Sequence, residues 1–178
     1  LLLGLVLLIT VLAAENDSLI YLRFADAAAL DPGMSRDQYS GVVTSGIFEG
    51  LVRYDKQSRE VKPWLARDWK MSPDGKKWVF YLRPGVRFHD GSAFDSRAVA
   101  YSFTTRIKQR HRYPKWNIFF PGMIGVTTPD KLTVEIELNK PFAPFLTALT
   151  DPVAFIVLPG ACDGEEFRPV GTGPFRFV

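Results

Sequence analysis

The segment spanning residues 63–103 constrains the fold most, because it places two turns and a helix start among regularly spaced apolar side chains. The tetrapeptide Ser72-Pro73-Asp74-Gly75 predicts a tight turn, since Pro presets φ and Asp-Gly tolerates the left-handed conformation that hairpins need. Apolar side chains flank this turn at Leu65, Trp69 and Met71 before it, and at Trp78, Phe80 and Leu82 after it. The later set alternates with Val79, Tyr81 and Arg83, which is the period-two pattern of a pleated strand. We therefore predict an antiparallel hairpin.

A second turn and a helix follow the hairpin. The tripeptide His89-Asp90-Gly91 predicts the turn, and Asp95 is a suitable N-cap for the helix. In that helix Val99, Phe103 and Ile107 stand four residues apart, so they share one face. We expect this face to pack on the sheet.

The remaining sequence indicates a mixture of helices and strands. Residues 36–48 have helical character, whereas the aromatic-rich residues 113–120 are assigned to a loop. Four further segments are predicted to be strands, namely residues 19–24, 132–138, 154–158 and 175–178. The predicted fold class is α/β, or α+β with mixed sheets.

The composition is that of a globular protein. With 178 residues, 47% apolar and 13% aromatic, the chain can bury a core and form one or two domains. The net charge of +3 is too small and too scattered to indicate nucleic-acid binding. One basic cluster is predicted to be a solvated helix end, and it comprises Arg106, Lys108, Arg110, Arg112 and Lys115.

No feature of the sequence indicates catalysis or a bound cofactor. Cys162 with His89 or His111 would supply a nucleophile and a base, and no motif brings them together. The same residues lie at unrelated spacings, which makes a poor zinc site, and no phosphate-binding glycine loop occurs. We therefore expect no enzyme activity, no metal and no cofactor. The lone cysteine also excludes an internal disulfide.

Residues 1–14 form an apolar run that ends in Ala13-Ala14 ahead of polar residues. Such a run is typical of the core and cleavage end of a secretory signal peptide. It is shorter than the roughly 20 residues of a membrane-spanning helix, although an uncleaved anchor helix is the alternative. No cysteine for lipid attachment follows Ala14, so we expect a free periplasmic or extracellular protein.

The motifs in their order resemble one protein family. Residues 69–91 read W-x-x-S-x-D-G-x-x-W-x-F-x-L-R-x-G-V-x-F-H-D-G, and V-x-Y-S follows at residues 99–102. Further matches are Leu30-Asp31-Pro32, the I-F-E-G-L-V of residues 47–52 and the P-V-G-T-G-P-F of residues 169–175. Together they resemble family 5 of the bacterial extracellular solute-binding proteins, the receptors of ABC importers for peptides, nickel and related solutes. The resemblance spans residues 19–178.

The resemblance implies a type II periplasmic-binding-protein fold, in which two lobes close over a ligand. Residues 1–14 would then be part of a signal peptide and residues 15–50 the first part of lobe one. Residues 51–165 would form an inserted smaller domain, and residues 166–178 would return to lobe one. The sequence is thus expected to be an N-terminal fragment that lacks the opposing lobe.

The resemblance also implies where the ligand binds. In peptide-binding members the segment after Leu-Asp-Pro offers an exposed backbone edge, which here is Ser35, Arg36, Asp37 and Gln38. Arg36 stands where those members can carry an acidic side chain, so the resemblance leaves the ligand class open.

Two aromatic residues and a glycine motif complete the expected site. Tyr113 and Trp116 are candidate ligand contacts, with core or loop packing as the alternative. Gly171, Thr172 and Gly173 are expected at the crossover between domains, where they would serve as a hinge. An ordinary turn before a strand is the alternative for this motif.

The function implied by the resemblance is the extracytoplasmic substrate-binding component of an ABC importer, which binds oligopeptides or dipeptides. Its partners would be a membrane permease and an ATPase. Three alternatives stay open: a receptor for nickel chelates, haem or oligosaccharides on the same scaffold, a sensor domain of a transcription regulator, and a secreted hydrolase.

Overall fold

The computed structural model describes residues 25–164 and 166–178, and this part of the chain mixes helices with antiparallel sheets. The helices are α1 (Gln38–Ile47), α2 (Ser96–Lys108), α3 (Pro114–Phe119) and α4 (Phe145–Ala148). The strands are β1 (Val52–Asp55), β2 (Glu60–Pro63), β3 (Ala66–Met71), β4 (Lys77–Leu82), β5 (Met123–Asp130) and β6 (Thr133–Leu138). Two short 3-10 helices, Pro32–Met34 and Pro152–Ala154, lie in the loops. The predicted mixture of helices and sheets is confirmed.

A four-stranded antiparallel sheet in the order β3-β4-β6-β5 is built around the predicted hairpin. Met71 of β3 pairs with Trp78 of β4 across the turn, where Gly75 takes a φ of 68°. The alternation predicted for residues 132–138 is also confirmed, because Val134 and Ile136 are fully buried in β6. One face of the sheet therefore belongs to the core.

Helix α2 covers this sheet along β5 and β6. It begins after Asp95, whose carboxylate accepts a hydrogen bond from the Arg97 N–H at 2.9 Å, as expected of an N-cap. Val99 and Phe103 are fully buried, and Ile107 is half-buried. The predicted apolar face of the helix is confirmed.

The remaining elements are not part of the four-stranded sheet. Strands β1 and β2 pair as a separate two-stranded sheet, and α1 precedes them. The 3-10 helix Pro32–Met34 packs against the 3-10 helix Pro152–Ala154, and both contact α3. This arrangement brings the Leu-Asp-Pro motif close to the aromatic-rich segment.

The structure corrects three expectations about elements. Residues 114–119 are helical, because Pro114 at the first turn suits a helix start and Trp116 and Phe120 bury a common face. Residues 154–158 are buried but form no strand, since the Ile156 N–H donates to the Glu49 carbonyl and the Val157 N–H to the Ser102 hydroxyl. Residues 175–178 also form no strand. The predicted signal peptide and the strand predicted at residues 19–24 lie outside the described residues.

Candidate functional site

The Leu-Asp-Pro loop is fixed by Asp31. This carboxylate accepts hydrogen bonds from the Gly33 N–H at 2.9 Å and from the Tyr113 hydroxyl at 3.0 Å. The first bond caps the 3-10 helix, and the second ties the loop to the start of α3, which lies 82 residues away in sequence. Asp31 therefore determines where the next segment, beginning at Ser35, leaves the core.

The segment formed by residues 35–38 lies at the surface, outside both sheets. Ser35 and Asp37 have extended backbone conformations, with ψ of 113° and 163°. The Ser35 side chain is buried, whereas the Arg36 and Gln38 side chains are exposed. Gln38 is already the first residue of α1, so only residues 35–37 precede the helix. An extended, surface-lying backbone is the conformation that can pair with a ligand backbone. Its role in ligand binding stays a prediction.

The Asp37 carboxylate forms its hydrogen bonds with the helix that follows, α1. Its carboxylate accepts a hydrogen bond from the Ser40 N–H at 2.8 Å and another from the Ser40 hydroxyl at 2.6 Å. The Ser40 hydroxyl oxygen in turn accepts from the N–H groups of Ala28 and Ala29. The hydrogen bonds from the Ser40 side chain and backbone lower the pKa of Asp37. Asp37 thus serves as the N-cap of α1 and joins it to the preceding loop.

The two predicted aromatic contacts lie in the core. Tyr113 and Trp116 have no exposed surface. The Trp116 ring lies 5.2 Å from the Phe103 ring and 4.4 Å from the Phe120 ring, measured between centroids. Burial, followed by the charge of Asp31, raises the pKa of Tyr113. These contacts favour the packing interpretation of both residues over ligand contact.

Arg106 was expected at a solvated helix end, and the structure shows that this is wrong for this residue. It is 2% exposed, donates to the Phe155 carbonyl at 2.8 Å and lies 5.6 Å from the centroid of the Trp116 ring. Burial lowers the pKa of the guanidinium, whereas the charge of Asp31 acts in the opposite direction. A signal for this placement was present, since Arg106 follows Val99 by seven residues and so shares the apolar face of α2.

Close approach at Gly33 joins these groups into one unit. A Cβ atom at Gly33 would lie 2.8 Å from the Tyr113 ring and 2.9 Å from Arg106 Nε, closer than side chains tolerate. We call Asp31, Arg106 and Tyr113 the aspartate node. The node fixes the loop that carries residues 35–38 against α2 and α3.

The predicted hinge, residues 171–173, lies against the C-terminal end of α1, and we call it the crossover. The Gly173 N–H donates to the Ile47 carbonyl at 2.9 Å. A Cβ atom at Gly171 would lie 2.0 Å from that same carbonyl oxygen, and one at Gly173 would lie 2.6 Å from the Gly46 oxygen. Both glycines are therefore required by close backbone contact. Whether the crossover acts as a hinge stays a prediction.

His89 contacts the crossover from the other side. The His89 backbone N–H donates to the Gly171 carbonyl at 2.9 Å. In the ring, Nδ1 lies 3.3 Å from the Gly171 N, and Nε2 lies 2.7 Å from the Gly173 carbonyl oxygen. Sequence reasoning assigned His89 to turn chemistry alone and missed this contact. Because 82 residues separate His89 from Gly171, no local pattern could have revealed it.

A shallow apolar groove of about 520 Å³ lies beside α3 and α4. Its walls include Phe119, Phe142 and Pro152, and Ile118 at its rim is largely exposed. Pro152 belongs to the 3-10 helix that contacts the Leu-Asp-Pro loop. One wall of the groove therefore belongs to the 3-10 helix that packs against the Leu-Asp-Pro loop.

Within residues 25–164 and 166–178, no three His, Cys, Asp or Glu side chains come together in a way that could hold a metal ion. In the same residues, no helix combines the length and apolarity that crossing a bilayer requires.

Comparison with known proteins identifies the class. A family model described as bacterial extracellular solute-binding proteins, family 5 Middle, matches residues 60–178. The chain belongs to this family of solute-binding proteins.

Relatives of known name refine this placement. The chain is 39% identical over 155 residues to the glutathione-binding protein GsiB of Pectobacterium atrosepticum, an alignment covering 84% of this chain and 30% of that protein. It is 34% identical to the probable D,D-dipeptide-binding periplasmic protein DdpA of Escherichia coli, with 92% of this chain and 34% of that protein covered. The chain thus spans about a third of the length of these relatives.

Solved structures confirm the fold. The periplasmic binding protein DppA of Helicobacter pylori, in complex with the peptide STSA, superimposes with a TM-score of 0.77 at 29% identity, covering 86% of this chain and 35% of that chain. NikA of Brucella suis, in complex with Fe(III)-EDTA, gives the same TM-score and identity over 86% of this chain and 31% of that chain. The predicted type II periplasmic-binding-protein fold is confirmed.

Proposed function

We propose that the complete gene product is the extracytoplasmic substrate-binding component of an ABC importer that takes up short peptides. In this proposal residues 15–50 and 166–178 contribute to lobe one, and residues 51–165 form the inserted smaller domain. The protein captures its ligand outside the cytoplasm, in the periplasm or the extracellular space, and delivers it to a permease driven by an ATPase. It has no enzyme activity of its own.

The observation that carries this proposal is the 39% identity to a glutathione-binding protein across most of the chain, together with the 34% identity to a probable dipeptide-binding protein. Both relatives are named for short peptides. The surface-lying segment of residues 35–38 supports the same ligand class, because its extended backbone at Ser35 and Asp37 offers peptide groups to a ligand that presents peptide groups itself.

The charged side chains of this segment, Arg36 and Asp37, indicate which short peptides are preferred. Asp37 is engaged by Ser40, so its carboxylate is committed to the cap of α1. Arg36 is exposed and makes no ion pair with another described residue. A guanidinium binds carboxylates through paired hydrogen bonds. We therefore propose that the preferred ligands are peptides that carry a carboxylate besides the C-terminal one, as glutathione does.

Isothermal titration calorimetry on the complete gene product tests this proposal. The ligands are glutathione, triglycine, D-alanyl-D-alanine, Ni(II)-histidine and Fe(III)-EDTA. We expect glutathione to bind more tightly than triglycine and to be recovered intact by mass spectrometry. Tighter binding of the nickel or iron chelate would favour the metal-chelate receptor, and cleavage of a peptide would favour a hydrolase.

Charge reversal at Arg36 tests the assigned residue. Arg36→Glu is expected to weaken glutathione binding by about tenfold or more, because a carboxylate would then face a carboxylate. Arg53→Glu is the matched control, since Arg53 is exposed on β1 and distant in sequence from residues 35–38. Equal effects of the two substitutions would contradict a role for Arg36 beyond overall charge.

A further inference from the structure

We infer that His89 is a positioning residue that locks the crossover to the turn of the smaller domain through one specific imidazole tautomer, and thereby fixes how the smaller domain is attached to lobe one. This inference rests on the proposed function in one respect, since the division into lobe one and a smaller domain belongs to that proposal. The tautomer and its bonds can be tested without any ligand.

The geometry around the His89 ring determines the tautomer. The Gly171 N–H can only donate, so the Nδ1 atom that lies 3.3 Å away must be an unprotonated acceptor. The Gly173 carbonyl oxygen can only accept, so the Nε2 atom at 2.7 Å must carry the proton. Both requirements are met together by the neutral imidazole with its proton on Nε2.

The backbone of His89 adds a third bond to the same motif, because its N–H donates to the Gly171 carbonyl at 2.9 Å. The Gly171 N–H therefore donates to His89 and its carbonyl accepts from His89, and the Gly173 carbonyl accepts a third hydrogen bond from the His89 ring. A single residue of the His-Asp-Gly turn thus holds both ends of the crossover. We call this set of three bonds the His89 latch.

On its opposite side the crossover segment forms backbone hydrogen bonds with α1. Gly173 and Phe175 donate their N–H groups to the carbonyls of Ile47 and Gly46, at 2.9 and 3.0 Å. The crossover is therefore enclosed between the end of α1 and the His-Asp-Gly turn. Rotation of the chain at residues 171–173 must break bonds of the His89 latch, of α1, or of both.

The neighbouring side chains of Asp90 and Thr172 form no hydrogen bond with the His89 imidazole among the described residues. The Asp90 carboxylate accepts hydrogen bonds from the Ser92 N–H at 3.0 Å and the Ser92 hydroxyl at 2.6 Å, so it is occupied within its own turn. The Thr172 hydroxyl is buried and has no hydrogen-bond partner among the described residues. The crossover is thus held by His89 rather than by the one polar side chain that the motif itself contains.

Four variants of the complete gene product separate the bonds. His89→Gln keeps a donor that can reach the Gly173 carbonyl, and His89→Asn keeps an acceptor for the Gly171 N–H, whereas His89→Ala keeps neither side-chain bond. Thr172→Val is the matched control, because it changes the same motif without removing a bond between described residues.

The first measurement is ligand-free. ¹⁵N chemical shifts of the His89 ring are expected to identify the Nε2-protonated neutral tautomer, and hydrogen exchange at the Gly171 amide is expected to accelerate in His89→Ala and His89→Gln but not in His89→Asn. An Nδ1-protonated ring, an imidazolium at neutral pH, or unchanged exchange in all four variants would overturn the inference.

The second measurement concerns stability. The equilibrium constant for unfolding, measured by urea denaturation, is expected to rise about tenfold in His89→Ala, with partial recovery in the Gln or Asn variant and no rise in Thr172→Val. An unchanged constant in His89→Ala would overturn the inference that the latch holds the crossover. If the wild-type protein binds no ligand, the proposed function fails, and the ¹⁵N, exchange and denaturation results still decide the tautomer and the latch.

Discussion

The aspartate node and the crossover both join distant parts of the chain, yet they use different chemistry. The node connects its segments through buried ionisable side chains, with Asp31 accepting from Tyr113 and Arg106 lying alongside. The crossover connects its segments through backbone groups and a single imidazole, and its glycines leave no room for side chains. Side-chain networks of buried charge hold one geometry, because each member depends on the others. Backbone hydrogen bonds at glycines can be exchanged for others as dihedral angles change.

This contrast assigns different roles to the two junctions. The node fixes residues 35–38 relative to α2 and α3, so the predicted ligand edge moves as one body with the aromatic core. The crossover joins residues 166–178 to the end of α1 and to the turn at His89, and its role as a hinge stays a prediction. Substitutions in the two junctions should therefore differ both in the size and in the kind of their effects.

The largest effect is expected from Gly171→Ala in the crossover. The new Cβ would lie 2.0 Å from the Ile47 carbonyl oxygen, which belongs to the backbone and cannot swing aside. We expect a loss of about 3 kcal/mol or more in the free energy of unfolding, measured by urea denaturation. Gly125→Ala is the control, since its Cβ would meet only ordinary contacts at 3.9 Å and beyond. Similar losses for both variants would remove the steric argument for the crossover.

A smaller effect is expected from Asp31→Ala in the node. The variant leaves the Tyr113 hydroxyl and the Gly33 N–H without their acceptor and leaves the buried Arg106 without a nearby carboxylate. We expect a loss of about 2 kcal/mol in the free energy of unfolding, and about 1 kcal/mol for Tyr113→Phe. The double variant should lose less than the sum of the two, because both remove the same bond.

Tyr113→Phe also separates packing from ligand contact. If the hydroxyl serves only Asp31, the variant should bind glutathione with unchanged affinity under conditions where it is folded. A tenfold loss of affinity in the fully folded variant would instead indicate that Tyr113 contacts the ligand.

The smallest effect is expected outside both junctions, at the cap of α2. Burial pushes the pKa of Asp95 upward, but hydrogen bonds and charge from Arg97 outweigh it and hold the pKa below the ordinary value of 3.8. The unfolded chain then binds the proton more readily, so this contribution to stability is complete above about pH 3.8 and is lost as the pH falls through the lower, folded-state pKa. Asp95→Ala should cost about 1 kcal/mol at neutral pH.

Asp95→Asn provides the control for that prediction. Asparagine retains an acceptor for the cap but carries no charge, so most of the stability should remain at neutral pH. The acid side of its stability curve should be shallower than that of the wild type, as followed by urea denaturation between pH 2 and 6. An unchanged slope would show that Asp95 does not contribute to the acid dependence.

The sequence predicted best those parts of the fold that depend on local chemistry. The turn at residues 72–75, the cap at Asp95 and the alternation in β6 each rest on residues within a few positions of one another, and the structure confirms all three. Residues 113–120 were mistaken for a loop because a proline that starts a helix and a proline in a turn look alike in sequence.

The candidate site was harder to predict, because its contacts join residues far apart in the chain. The pairs Asp31 with Tyr113 and His89 with Gly171 are each separated by 82 residues. The resemblance to a family located residues 35–38 and 171–173, and their roles stay predictions. Arg106 was misjudged because its charge was weighed above its position on the apolar face of α2.

The burial of Cys162 has a practical consequence for labelling this protein with fluorescent dyes. The thiol is 7% exposed, and burial raises its pKa, so little of the reactive thiolate forms at neutral pH. Maleimide dyes should therefore ignore the native sulfur and attach selectively to cysteines engineered on the outer surface. Pairs of such dyes on either side of residues 171–173 would test by energy transfer whether the chain moves at the predicted hinge, with the natural cysteine left in place.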